Sequence, residues 1–280
     1  MKKYVLLAAV VLFGMIAPVL AADGDLHGVV GVTYDSLHVW RGYLTYGADS
    51  AMNPFIDLDL FGSGFHLETV YHVANGGGNV DGTRGDYSLY YAGAIAPDEA
   101  FATMYKVGYR YFNYPQMSAR HSDQCWDLQE VYAGFAFPKI LGVKGLVPGY
   151  AFVQAWPSMS DTVVGGENPN GGSYQGCAHI FMLDYALPLE NISSEIPKQD
   201  LNFHVETVYN NHVDPRPYGG YTTSDWTHVL MGVSTDFDLG SGLIFTPGYF
   251  HQITMEDDSN KGVSPHHDMD WVELTIKYKF

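Results

Sequence analysis

Twelve stretches of about ten residues, each alternating apolar with polar side chains and each bounded by Gly, Pro, Asn or Asp, follow one another from residue 28 to Phe280. A period of two puts successive side chains on opposite faces of a strand, so the chain is constrained to a large antiparallel sheet before any other feature is considered. The strand cores read as 28–40, 51–60, 64–74, 85–95, 101–112, 126–137, 146–156, 177–187, 200–212, 225–237, 243–254 and 269–280. Their connections alternate in length. Tight turns at 62–64, 96–99 and 239–242 interleave with polar loops at 44–50, 75–84, 113–124, 157–176, 213–224 and 255–268. The connections at 138–145 and 188–199 are longer than ideal turns but fall in the short-side register.

Short turns on one side and long loops on the other are the pattern of a transmembrane up-and-down β-barrel of about 12 strands, with turns periplasmic and loops external. An even strand number places both termini on the turn side. A soluble sandwich is the alternative, because its strands alternate in the same way. In the third strand, Phe65, Leu67, Thr69, Tyr71 and Val73 oppose His66, Glu68, Val70 and His72; in the ninth, Phe203, Val205, Thr207 and Tyr209 oppose Asn202, His204, Glu206 and Val208. Regular strand length, loop alternation and terminal aromatics favour the barrel, in which closure pairs every backbone donor inside hydrocarbon. The near repeat of residues 65–71 at 203–209 fits either a six-plus-six duplication or shared barrel grammar.

The segment before the sheet carries its own signal. Lys2 and Lys3 precede an apolar run from Tyr4 to Leu20, followed by Ala21, Ala22 and Asp23. That order marks residues 1–22 as a secretory signal peptide and leaves 23–280 as the barrel. No later run offers the 18 or more continuous apolar residues of a membrane helix. With Lys2 and Lys3 set aside, 12 of the 14 basic side chains remain against 31 acidic ones, a formal charge of −19. Such a surface does not bind nucleic acid, which requires positive charge. It favours cations.

Aromatic residues cluster at segment ends, as interfacial girdles require. Trp40, Tyr43, Tyr111, Phe112, Tyr114, Trp126, Trp156, Trp226 and Trp271 are expected on the loop side, and Phe61, Phe137 and Phe280 on the turn side. The last strand ends Ile276-Lys277-Tyr278-Lys279-Phe280, resembling the terminal signal by which the barrel-assembly machinery recognises its clients. Cys125 and Cys177 begin the sixth and eighth strands on one side, and a disulfide between them suits an oxidising compartment; two unpaired thiols are the alternative.

The stretch Val32-Thr33-Tyr34-Asp35-Ser36-Leu37-His38-Val39-Trp40-Arg41-Gly42-Tyr43 resembles the opening of the TorF-type porin family, where a strand ends in an aromatic followed by Arg-Gly. The resemblance covers some twenty residues, and Tyr43-Leu44 replaces the polar step that follows Gly42 in the family. It implies an outer-membrane barrel with a porin role.

Twelve strands enclose a narrow lumen, intermediate between a filled eight-stranded barrel and an open sixteen-stranded one. Inward positions are therefore the functional ones. The pore-lining candidates are Arg41, His66, Glu68, His72, Lys106, Arg110, Glu130, His204 and Glu206, with His228 a further candidate. Lys106 and Arg110 are expected to face the carboxylates across the lumen and set up a transverse field; charges paired merely to satisfy a filled interior are the other reading.

Histidine is a common metal ligand, but strands six apart lie on opposite walls and do not bring His66, His72 and His204 together. No metal or cofactor is expected. His266-His267-Asp268 beside Glu256-Asp257-Asp258 reads as a solvated loop. Ser118, His121 and Asp123 are close only in sequence, and catalysis demands hydrogen-bond geometry; with no Gly-x-Ser-x-Gly pattern, no enzyme is expected. The resulting expectation is a porin of the bacterial outer membrane passing small hydrophilic solutes, with some preference for cations, and with membrane lipid around it. A plugged barrel serving surface binding or structure is the alternative.

Overall fold

The computed structural model describes residues 26–76, 82–116, 127–158, 176–191, 199–211, 224–255 and 268–280. Long strands dominate: β1 (His27–Asp35), β4 (Ala51–Asp59), β5 (Phe65–Ala74), β6 (Arg84–Ile95), β7 (Thr103–Asn113), β8 (Leu128–Ala136), β9 (Leu146–Pro157), β10 (Gly176–Pro188), β11 (Asp200–Asn211), β12 (Ser224–Thr235), β14 (Leu243–Thr254) and β15 (Met269–Lys279). Short pieces complete the set: the β2 (Val39–Trp40) and β3 (Tyr43–Leu44) pair, and β13 (Phe237–Gly240) beside the start of β14.

The twelve long strands form a closed antiparallel ring. Pairing of β12 with β14 carries the ring past the short β13, and pairing of β1 with β15 joins the two ends of the chain. Gly28 and Phe280 exchange backbone hydrogen bonds of 3.0 Å in both directions at that seam. Every edge is thereby removed, as spanning a membrane with strands requires.

Register assigns the faces. Directly paired residues point the same way, and one face of every pair carries the exposed apolar side chains: Val107 on β7, Val131 on β8, Leu183 on β10, Val205 on β11 and Ile276 on β15 are among them. This is the outer face. Across the strands the opposite face reads Asp57–Glu68–Ser88–Arg110–Glu130 in continuous register, and it lines the inside.

Two expectations need correction. The first strand does not run to Trp40: it ends at Asp35, and residues 36–50 turn inward. Nor do all the terminal aromatics belong to the lipid girdle. Phe112 and Trp271 are 1% and 5% exposed and sit on the inner face, paired with Leu128 and Phe250, and Trp40 packs on side chains of the inner wall. Trp226 remains exposed on the outside. The signal peptide, Trp126, Cys125, the Ser118/His121/Asp123 set and the 256–258 and 266–267 acidic and His residues lie outside the described residues. Cys177 is a free thiol, its Sγ 3.6 Å from Asn211 Nδ2 and 3.8 Å from His179 Nε2.

Candidate functional site

The connection from β1 to β4 folds back into the barrel as a strap. Its tip is a two-residue hairpin turn, with Val39 paired to Leu44 and Trp40 to Tyr43. Arg41 (φ 51°) and Gly42 (φ 83°) both occupy the left-handed region that a type I′ turn demands. A backbone bond of 2.9 Å from Thr45 N to His38 O extends the hairpin below the turn.

Opposite walls hold that tip. Arg41 Nη2 donates to Glu130 Oε2 on β8, while Gln252 on β14 donates from Nε2 to the Gly42 carbonyl at 2.9 Å. Around the ring β8 and β14 are five steps apart one way and seven the other, so the tip bridges nearly diametric strands.

The strap's flanks are anchored as well. Two guanidiniums lie over the Trp40 indole, Arg41 at 4.9 Å and Arg84 at 4.4 Å from its centroid, and the ring meets Phe112 edge-on at 5.4 Å. Arginine over an indole face is attracted by the ring quadrupole and gains when water is excluded. His38 lies 2.8 Å from Asp35, stacks on Tyr46 at a centroid distance of 5.1 Å, and meets the His72 ring at a tilt with centroids 4.8 Å apart. Tyr46 donates to the carbonyls of His72 and Gly82 at 3.1 and 2.9 Å. Burial pushes the Tyr46 hydroxyl well above its ordinary range, so it keeps the proton it donates.

Beside the strap, β5 to β8 form a charged wall. Glu68 takes Arg110 at 3.3 Å and Lys106 at 4.0 Å; Arg110 also reaches Glu130 at 3.4 Å and Ser88 at 2.9 Å. Arg84 grips Asp86 through two bonds of 2.7 and 3.0 Å, and His72 bridges Asn53 and Asp86. His66 contacts Asp57 at 3.2 Å and stacks flat on Tyr90, whose other neighbour is Lys106 Nζ, 3.6 Å from the ring centroid.

The adjoining wall differs in character. Val153, Ala178 and Val208 are buried on the inner faces of β9 to β11, packed with Tyr132 and Ile180. Further round, Asp184 lies 2.7 Å from His204, which is 3.9 Å from Glu206, itself 3.9 Å from His228.

All nine pore-lining candidates thus point inward, but not in the arrangement expected for Lys106 and Arg110. Their carboxylate partners, Glu68 and Glu130, stand on the same wall because the register sets Glu68, Ser88, Arg110 and Glu130 side by side. The residue that does cross the lumen is Arg41. Arg84 and Asp86 escaped the sequence reading because Arg84 fell in a presumed loop; Asp57 and Asp184 could have been found by alternation alone. Gln252 could not, since its significance rests on a backbone carbonyl of the strap. Among the described residues no three ligating side chains converge as a metal site would require.

No known protein-family model matches the chain, and no curated protein matches it in sequence. Solved structures do. The chain is similar to the NanC porin, at 9% identity and a TM-score of 0.50 over 90% of this chain and 98% of that one. It is also similar to the KdgM porin, at 9% identity, 0.49, and 90% and 99% coverage. The outer membrane protein OpdK of Pseudomonas aeruginosa aligns at 10% identity and 0.37, over 82% of this chain and 57% of its own. The likeness to NanC is one of fold: a barrel of matching extent.

Proposed function

We propose that this barrel is a narrow porin of the bacterial outer membrane, non-enzymatic, through which small hydrophilic solutes diffuse passively with a mild preference for cations. The observation that carries the reading is the inversion of polarity across a closed ring. Outward side chains are apolar and suit hydrocarbon, whereas inward ones on β5 to β8 are charged and suit water. Nothing but a water-filled or side-chain-filled interior justifies such an inner face in a membrane-spanning sheet.

Cation preference is supported by the acidic balance of the chain and by the inner carboxylate Asp57, whose hydrogen-bond partners are His66 and Tyr90 rather than Lys or Arg. The Trp40-Arg41-Gly42 step behind the TorF-type resemblance is the strap's tip, which supports placing the chain near that family. In this account residues 1–22 are cleaved on export, the C-terminal strand ending at Phe280 engages the assembly machinery, and lipid surrounds the ring.

Planar-bilayer recording of the refolded mature chain in a salt gradient tests the reading: discrete conductance steps with a cation-biased reversal potential are expected. One observation favours a plugged barrel as the second reading. Arg84, Tyr46, Phe112, His228, Gln252 and Glu130 are each under 2% exposed, so part of the lumen is filled. A folded, electrically silent barrel is the outcome that reading requires.

A further inference from the structure

We propose that the inward strap, residues 36–50, is the constriction of the channel, and that Arg41 at its tip sets the ion preference there; the inference rests on the diffusion reading above. A loop that enters a barrel by accident of length would touch one wall. This one is built: a left-handed turn at Arg41-Gly42 shapes the tip, and β8 and β14 hold it from nearly opposite sides. Trp40 packs against the guanidiniums of Arg41 and Arg84, and Tyr46 ties the return limb to β5 and to Gly82. A solute passing at this level must go around the tip.

The local charge differs from that of the rest of the lumen. Around the tip stand Arg41, Arg110 and Lys106 against Glu130 and Glu68, and both Arg41 and Arg110 draw on Glu130. With the Arg84–Asp86 pair and Asp57 beside them, four basic side chains meet four acidic ones, so the constriction is charge-balanced inside a chain that is acidic overall. A charged ring at the narrowest point governs which ions pass more than charge elsewhere. Arg41 acts there as a brake on the cation preference that the acidic balance of the chain creates. It is also the strap's own contribution to that balance, since Arg84, Arg110 and Lys106 belong to the wall.

The test records single channels of the refolded mature chain for wild type, Arg41→Gln, Trp40→Ala and a variant in which residues 38–46 are replaced by a short Gly-Ser linker. Heat-modifiable gel migration checks that each has folded. Arg41→Gln is expected to raise the cation-to-anion permeability ratio by about two-fold or more, and the shortened strap to raise conductance by about two-fold or more. Trp40→Ala, which removes the packing against Arg84 and Phe112 but leaves the charges, is expected to add rapid current fluctuation. A silent wild type with a conducting short-strap variant also supports the strap as the constriction. A conducting wild type whose variants keep its conductance and reversal potential overturns the strap alone. If wild type and the shortened variant are both folded and silent, the strap proposal and the diffusion reading fall together.

Discussion

Glu130 is 1% exposed at its side chain and receives two guanidiniums, one from its neighbour strand and one from the strap. Removing one partner of a buried charged cluster leaves the others unpaired in a place water reaches poorly, at a cost of about 3 kcal/mol. Glu130→Ala is therefore expected to lower the stability of the folded barrel by about that amount, while Glu130→Gln, which keeps the volume and one acceptor, loses less. Urea unfolding in lipid vesicles, followed by tryptophan fluorescence, measures both; equal midpoints for Glu130→Ala and wild type would contradict the cluster's role. At this scale the sequence was only half legible. Alternation along β5, β7 and β8 showed that His66, Glu68, Lys106, Arg110 and Glu130 share the inner face. It did not show who pairs with whom, because partners are set by register between strands and by a loop that returns from outside the periodic pattern.

Strands were the most legible part. Eleven of the twelve long ones lie where the period of two puts them to within about two residues, since a membrane-facing outer surface leaves little freedom in the pattern. The exception is instructive. Val39 and Trp40 continue the β-favouring composition of β1, but Ser36 interrupts it and the chain turns inward, so the apparent strand end is a hairpin of its own. The two faces of β8 make opposite predictions. Val131→Lys on the outer face is expected to destabilise the barrel by about 2–4 kcal/mol if it sits near the bilayer midplane. Gly134→Ser on the inner face is expected to fold normally, because a Cβ there meets nothing nearer than Ala151 Cβ at 3.9 Å. Parallel refolding yields into vesicles check the pair, and similar losses for both would mean the faces are misassigned. At the tip, Gly42→Val forces a β-branched side chain into φ 83° and is expected to cost about 1–2 kcal/mol of strap stability. Faster proteolysis at residues 38–46 of the folded barrel would report it.

For the molecule as a whole, charge and topology pull in one direction. A formal charge of −19 without Lys2 and Lys3 argues against nucleic-acid partners, and the closed ring turns an apolar band outward and a charged surface inward. What the sequence alone could not convey is how the lumen is divided: a charged wall on β5 to β8, an apolar patch beside it on β9 to β11, and a strap tied to β8 and β14. Those features depend on which distant strands closure brings face to face. The central claim is that this interior conducts. Planar-bilayer recording of the refolded mature chain in a salt gradient tests it most directly: discrete conductance steps, with a reversal potential displaced toward the cation equilibrium value, are the predicted result, and a barrel proven folded by heat-modifiable migration yet without any conductance would contradict it.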